Sequence, residues 1–427
     1  MDIAERRWLA KNPVSPWDGI GIIVAASHPG AINTTAPIVD YLVNKHKTEV
    51  ALYTSGKIND NMVPNFQFSR QPDSITKYNN VVLPKATDQA TLALISTSSP
   101  PDIDRCELPL ASQIAHRLDD GKKALVVLAE DNIGGLRSVI PQLNQHGISS
   151  DRINRMLLAA GSAIRTYPED DFGVPRERMR VTGSATFDGI KIEDTAAVNK
   201  EVREQLEIPF DTLVIGYFGM PSQEPHFENM EFRSTKLVSK TIDALARNHP
   251  NRQFTFLYRR HPRENKPNEL RQLLPENRSN LRVIPHEESQ KIPTTKISAT
   301  TDLGVALGST VLTEMALRGS KGQTLSATGS IPLYLLNADG ISVFGYPDHK
   351  YEIPIPVQLG AAAVAWNDEQ LLSIMENALF DSSSRRQIAK RQATALKTEY
   401  AFDITKSAAE LAVSEIEQLL LVSQFSP

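Results

Sequence analysis

Short, continuously apolar runs alternate along the chain with longer stretches in which apolar residues recur every three or four positions. The first kind suits a strand buried on both faces and the second a helix lying against a sheet, so the alternation predicts parallel strands joined by helices. In the first half, strands are expected over 19–26, 49–54, 80–83, 91–96 and 124–129, with helices over 33–45 and 110–119. In the second half, strands are expected over 212–218, 253–258, 281–284, 303–307 and 323–327, with helices over 198–206, 236–247 and 314–318. Two doubly wound, Rossmann-like α/β domains facing a central cleft account for this pattern most simply. The division is expected within 168–188, where turn residues and charges surround one apolar step at 180–182. That gives a first domain over 1–180, a second over 181–400, and a closing segment over 401–427. The amphipathic stretch 404–421 within that segment is expected to form a helix crossing back to the first domain.

Composition narrows the picture without redirecting it. The 427 residues are enough for two or three domains, and 41% hydrophobic with 22% charged residues is ordinary for a globular chain. With 46 basic and 50 acidic residues, the net charge of −4 offers no basic excess for nucleic acid or an anionic membrane. A single cysteine, Cys106, excludes an internal disulfide and a multi-cysteine zinc site, which fits a reducing, cytoplasmic setting. No apolar run is long enough for a signal peptide or a bilayer span, so no integral membrane association is expected. Composition leaves a homodimer open.

The polar clusters follow the expected strands, where open parallel sheets bind ligands. In the first half these are Ser27-His28-Pro29-Gly30, Ser55-Gly56-Lys57 and Glu130-Asp131-Asn132. In the second half they are Gly219-Met220-Pro221-Ser222, Arg259-Arg260-His261-Pro262-Arg263 and Gly308-Ser309-Thr310.

The run GVALGSTVLTEMALRG, residues 304–319, begins as a buried strand and ends as a helix. A helix starting at Ser309 or Thr310 has unpaired N–H groups and a partial positive charge at its start, which suit a phosphate. Gly308 lets a ligand approach the backbone, and both hydroxyls can donate to phosphate oxygens. Glu314, four residues after Thr310, shares its helix face and can accept hydrogen bonds from ribose hydroxyls. Arg259, Arg260 and His261 add guanidinium and imidazole groups suited to phosphate oxygens. Together these loops point to a nucleotide mono- or diphosphate in the second domain.

The order of four segments then resembles a known group. They are Val181-Thr-Gly-Ser-Ala-Thr-Phe-Asp188, Val214-Ile-Gly-Tyr-Phe-Gly219, the His261-Pro262 loop, and Gly308-Ser309-Thr310 with Glu314. This order is similar to the carboxyl-terminal half of GT-B-fold nucleotide-sugar enzymes, in particular the UDP-N-acetylglucosamine 2-epimerase family and the HP-motif glycosyltransferases. The resemblance implies that the second domain holds the nucleotide, with Ser309, Thr310, Glu314 and His261 at matching positions. In the first half, Glu130 ahead of Gly135-Leu136-Arg137, and the pair Asn154-Arg155, resemble epimerase segments. His226-Phe227-Glu228-Asn229 is likewise similar to an epimerase run.

The expected chemistry is a metal-independent, inverting transfer of sugar from a nucleotide-activated donor to an acceptor whose identity the sequence does not disclose. Such a reaction needs a base for the acceptor hydroxyl and positive groups at the leaving phosphate. Glu130, Asp131 and His28 are the base candidates. Gly219, Arg259, Arg260, His261, Gly308, Ser309, Thr310 and Glu314 are the nucleotide- and phosphate-binding candidates. The donor is a substrate, and no cofactor or metal site is expected. Asp102-Ile103-Asp104 matches a metal-binding spacing, but its Pro-Pro loop reads as turn chemistry. Epimerase-like chemistry on the same donor, and a non-catalytic binding protein on the same fold, are the alternatives. No HExxH, Walker A or post-strand GxGxxG sequence is present.

Overall fold

The computed structural model describes residues 20–26, 29–46, 50–55, 74–78, 90–96, 111, 124–130, 136, 143, 148–161, 173–220, 225–261, 264, 266–321, 330–340, 353–402 and 405–425. The chain forms two compact units, one of residues 1–189 with 399–427, the other of residues 190–398. Among the described residues, no helix is long and apolar enough to cross a membrane.

The first unit is built on strands β1 (Ile20–Ala25), β2 (Val50–Ser55), β3 (Ser74–Tyr78), β4 (Ala90–Ser96), β5 (Ala124–Ala129), β6 (Ile153–Leu158) and β7 (Met179–Val181). All pair in parallel, in the order β3-β2-β1-β4-β5-β6-β7. Strand β1 is apolar on successive positions because both its faces are covered: Ile22, Val24 and Ala25 are buried. Helix α1 (Pro29–His46) contributes Ile38, Val39 and Leu42 to the core on one side. The expected strand at 80–83 lies outside the described residues, as does the expected helix at 110–119 apart from residue 111.

The second unit starts with α2 (Thr195–Gln205), followed by β8 (Leu213–Phe218), α3 (Pro225–Asn248), β9 (Phe254–Arg259) and β10 (Leu281–Ile284). Then come α4 (Thr294–Thr300), β11 (Leu303–Ala306), α5 (Thr310–Gly319), β12 (Ile331–Leu335), β13 (Ala363–Ala365), α6 (Leu371–Phe380) and α7 (Ser382–Arg391). Its six strands are also parallel, ordered β10-β9-β8-β11-β12-β13. Renumbered from one, that order is 3-2-1-4-5-6, the doubly wound arrangement whose direction reverses between β8 and β11. The expected strand at 323–327 lies outside the described residues, and β12 follows it.

The last helix, α8 (Ala408–Phe425), belongs to the first unit. Its Ala409, Ala412, Val413, Ile416 and Leu420 recur at three- and four-residue intervals and share the core of α1. The segment 181–188 fastens it. Asp188 accepts the Ala408 and Ala409 N–H groups through its two carboxylate oxygens at 2.8 and 3.3 Å, capping the helix. Phe187 meets Tyr400 edge-on at 5.9 Å. Gly183 has a φ of +78°, and a Cβ there would lie 2.6 Å from the Tyr400 carbonyl oxygen, so only glycine fits.

Candidate functional site

The strand order reverses between β8 and β11, and the carboxyl ends of the strands beside such a reversal are where doubly wound sheets bind ligands. Register pairs Val305 with Tyr217; carried on, it sets Leu307 beside Gly219 and Gly308 beside Met220. Gly304 on β11 lets the α5 helix close on the sheet, since a Cβ there would run into the Met315 thioether.

Ser309 is the N-cap of α5, with extended backbone and its Oγ accepting the Val311 N–H at 3.3 Å. No acidic residue lies in the first turn, so the positive end of this ten-residue helix is not neutralised from within. Gly308 and Ser309 are half-buried and Thr310 is exposed. One turn further, Glu314 is only 7% exposed, and its Oε2 has no hydrogen-bond partner. Burial pushes its carboxyl up to about 7, with Arg318 pulling down and Glu193 pushing up. Arg318 does not pair with it, because its guanidinium is held by both Glu193 oxygens at 2.7 and 3.1 Å and donates to Ser298 Oγ at 2.7 Å. A buried carboxylate oxygen left without a donor costs stability, and hydroxyls of a ligand would satisfy it.

The loop after β8 is held from below by Glu231 of α3, a residue the sequence reading did not single out. Its carboxylate accepts the Met220 N–H at 2.8 Å, the Tyr217 hydroxyl at 3.1 Å and the Thr235 hydroxyl at 3.2 Å. Burial raises Glu231 to about 7 against these three bonds. Gly219 is itself buried, its N–H donating to the Arg259 carbonyl at 2.8 Å, and a Cβ there would lie 2.5 Å from Glu231 Oε1. Gly219 is therefore a packing requirement of the loop. The clue available in the sequence is that Glu231 shares the spacing of Val238, Ile242 and Leu245, the buried face of α3.

The arginines at the carboxyl end of β9 part company. Arg259 is 8% exposed and turned into the protein. It donates to Ser289 O at 2.7 Å, Ile292 O at 2.8 Å, Ser289 Oγ at 3.3 Å and Thr294 Oγ1 at 3.4 Å. The expectation that Arg259 grips a phosphate is corrected on this point: its donors hold the segment between β10 and α4, and only its charge reaches outward. Arg260 is half-buried and makes no hydrogen bond or ion pair among the described residues. His261 is half-buried, and its carbonyl accepts the Glu264 N–H at 3.0 Å. Pro262 and Arg263 lie outside the described residues.

In the first unit, Glu130 is 2% exposed. Its Oε2 accepts the Ala159 N–H at 3.0 Å, and its own N–H donates to Leu157 O at 2.9 Å, tying the ends of β5 and β6 together. Asp131, His28 and the Asp102–Asp104 turn lie outside the described residues. Asn154 accepts the Val126 N–H at 2.8 Å where the β5–β6 register shifts. Arg155 is buried and donates to Glu177 O at 3.1 Å. Asn154 thus supports the sheet, while Arg155 holds the turn ahead of β7 and its buried Nε has no hydrogen-bond partner. Residues 226–229 open α3, with Asn229 exposed and the side chains of 226–228 outside the description.

No family model and no curated protein sequence matches the chain. Solved structures do. The UDP-GlcNAc 2-epimerase of Neisseria meningitidis bound to UDP-GlcNAc superposes with a TM-score of 0.57 at 14% identity, over 93% of this chain and 100% of that one. The S. aureus MnaA–UDP structure gives 0.58 at 11% identity, over 96% and 98%. The wall teichoic acid polymerase TagF gives 0.52 at 11% identity, over 97% and 92%. Across nearly its whole length, then, the chain has the two-domain, doubly wound α/β fold of the GT-B type that these epimerases and this polymerase share.

Proposed function

We propose that this chain binds a nucleotide-activated sugar at the carboxyl ends of β8 and β11 and transfers the sugar to an acceptor. The observation that carries the reading is Glu314: a nine-tenths-buried carboxylate with one oxygen unpartnered, one turn into a helix whose positive end is open. A phosphate fits the start of α5, where Ser309 and Thr310 supply hydroxyls and the helix supplies charge. A ribose hydroxyl fits Glu314. Arg260, free of protein partners among the described residues, is placed on the same sheet edge to offset charge on a departing nucleotide phosphate. Glu130 and Asp131 remain the proposed groups of the first unit, with Glu130 fixing the β5–β6 edge and Asp131 or His28 acting on the acceptor hydroxyl. The proposed reaction requires no metal and no cofactor.

Likeness to both epimerases and a polymerase leaves the two reaction types to experiment. Transfer is favoured here because Asn154, one of the epimerase-like pair, is engaged in holding the sheet. The test is release of nucleotide from a bound nucleotide-sugar with and without candidate acceptors. Release only with acceptor supports transfer. Interconversion of the sugar without acceptor would replace it with epimerisation, and binding without turnover under either condition would leave a binding protein.

A further inference from the structure

His286 takes no part in the site as drawn above, yet it stands beside it. His286 opens the short helix that follows β10, two residues beyond Ile284, whose partner in register is Leu257 of β9; Arg259 and Arg260 follow Leu257 on that side. The turn it opens is seated on Arg259, which donates to Ser289 O and Oγ, while Ser289 Oγ donates to His286 O at 3.3 Å. The imidazole is half-exposed, but its Nδ1 is buried and has no hydrogen-bond partner. Two guanidinium charges and one ionisable ring thus converge at the carboxyl edge of β9 and β10. Of the charged groups acting on the ring among the described residues, only Glu287, exposed on the same turn, is acidic. Such a corner opposes its own protonation.

We propose that His286 and Arg260 form an anion subsite for a phosphate-class group, and that occupation of the subsite brings a proton onto His286. Arg260 supplies the permanent charge and a guanidinium fork, and Arg259 fixes the turn and adds its field. The protonated ring then donates an N–H from its exposed edge to the anion, while the anion offsets the two arginines that had opposed ionisation. In the free protein the ring is pushed down to about 4, chiefly by burial and then by Arg259 and Arg260, with Glu287 working the other way. It is therefore neutral at pH 7 until an anion arrives. No bond is made or broken, and the proton comes from solvent. The inference is separate from the role of Glu314, and it would supply the nucleotide reading with a second phosphate contact.

The experiment is an NMR titration of the histidine Cε1–H signals between pH 4 and 8 on the whole chain. Sulfate, which does not titrate in this range, is compared with chloride at equal ionic strength. His286→Gln identifies the signal. The expected result is a midpoint that rises by about one pH unit or more with sulfate, and that no longer rises in Arg260→Gln. A midpoint indifferent to sulfate overturns the proposal, as does an equal rise in Arg260→Gln. If Arg260→Gln does not fold, the wild-type comparison of sulfate with chloride decides alone. Repeating the titration with saturating UDP-N-acetylglucosamine separates the sources. A rise caused by the nucleotide-sugar assigns the anion to its diphosphate, and a sulfate response that persists in its presence assigns it to a different phosphorylated ligand. A sulfate response without any nucleotide binding would leave this subsite standing and remove the nucleotide reading.

Discussion

The two edges of the second sheet treat buried charge in opposite ways. At the amino edge, Asp302 accepts the Val214 N–H at 2.8 Å and Arg203 Nη2 at 3.3 Å. Arg203 spends its other donors on Pro209 O at 2.8 Å, Thr212 O at 3.0 Å and Asn199 Oδ1 at 2.9 Å. At the carboxyl edge of the same sheet, Glu314 Oε2 and His286 Nδ1 are buried without partners. One edge is saturated from within; the other carries hydrogen-bonding capacity that the protein does not use. Since unsatisfied buried groups cost stability, a ligand at this edge would relieve that cost for these two ionisable side chains.

The comparison can be broken most forcefully at the amino edge. Arg203→Ala leaves Asp302 buried without its cation and is expected to cost about 3 to 5 kcal/mol in urea unfolding. A loss under about 1 kcal/mol would mean that the edge is not the internal fastening described. Next in size is a pH effect at the carboxyl edge. Glu314 is raised from an ordinary 4.5 to about 7, so the unfolded chain gives up its proton first. Unfolding stability should therefore fall as pH rises through that interval, by a few kcal/mol at most. Glu314→Gln should reduce this slope, leaving the share due to Glu231, and be at least as stable as wild type at pH 8; an unchanged slope would contradict the assignment.

The neighbouring arginines sharpen the contrast further. Arg259→Met strands the Ser289 and Ile292 carbonyls and is expected to cost about 2 kcal/mol. Arg260→Met should stay within about 0.5 kcal/mol of wild type in stability while weakening nucleotide binding roughly tenfold, the effect of about 1.4 kcal/mol. Equal stability losses in the two variants would erase the distinction between an inward and an outward arginine.

How far the sequence was legible follows from the same physics. The junction at 304–319 could be read because its apolar run, small polar turn and amphipathic stretch are all local, and the structure puts β11, the Ser309 cap and α5 there. Strand β6, with the sequence INRMLL, is interrupted by Asn154 and Arg155, whose polar groups serve β5 and the turn before β7, so its pattern was masked. In β12 a proline stands second, paired with Gly304, and argues against a strand when read alone. Nothing local distinguishes Arg259 from Arg260 either. Which one turns inward depends on the 289–294 segment, 30 and more residues away. Glu231 and His286 were missed for the same reason, since a buried partner or its absence exists only once distant elements pack.

The most direct test of the central claim is a thermal-shift panel of UDP, CDP, CMP, GDP and their sugar conjugates on the wild type and Glu314→Ala. Ligand at about 100 times its dissociation constant should stabilise the wild type by roughly 2.7 kcal/mol. The account predicts that conjugates of one base do so and that Glu314→Ala loses most of the response while remaining folded. No response to any nucleotide, or an equal response from Glu314→Ala, would contradict it.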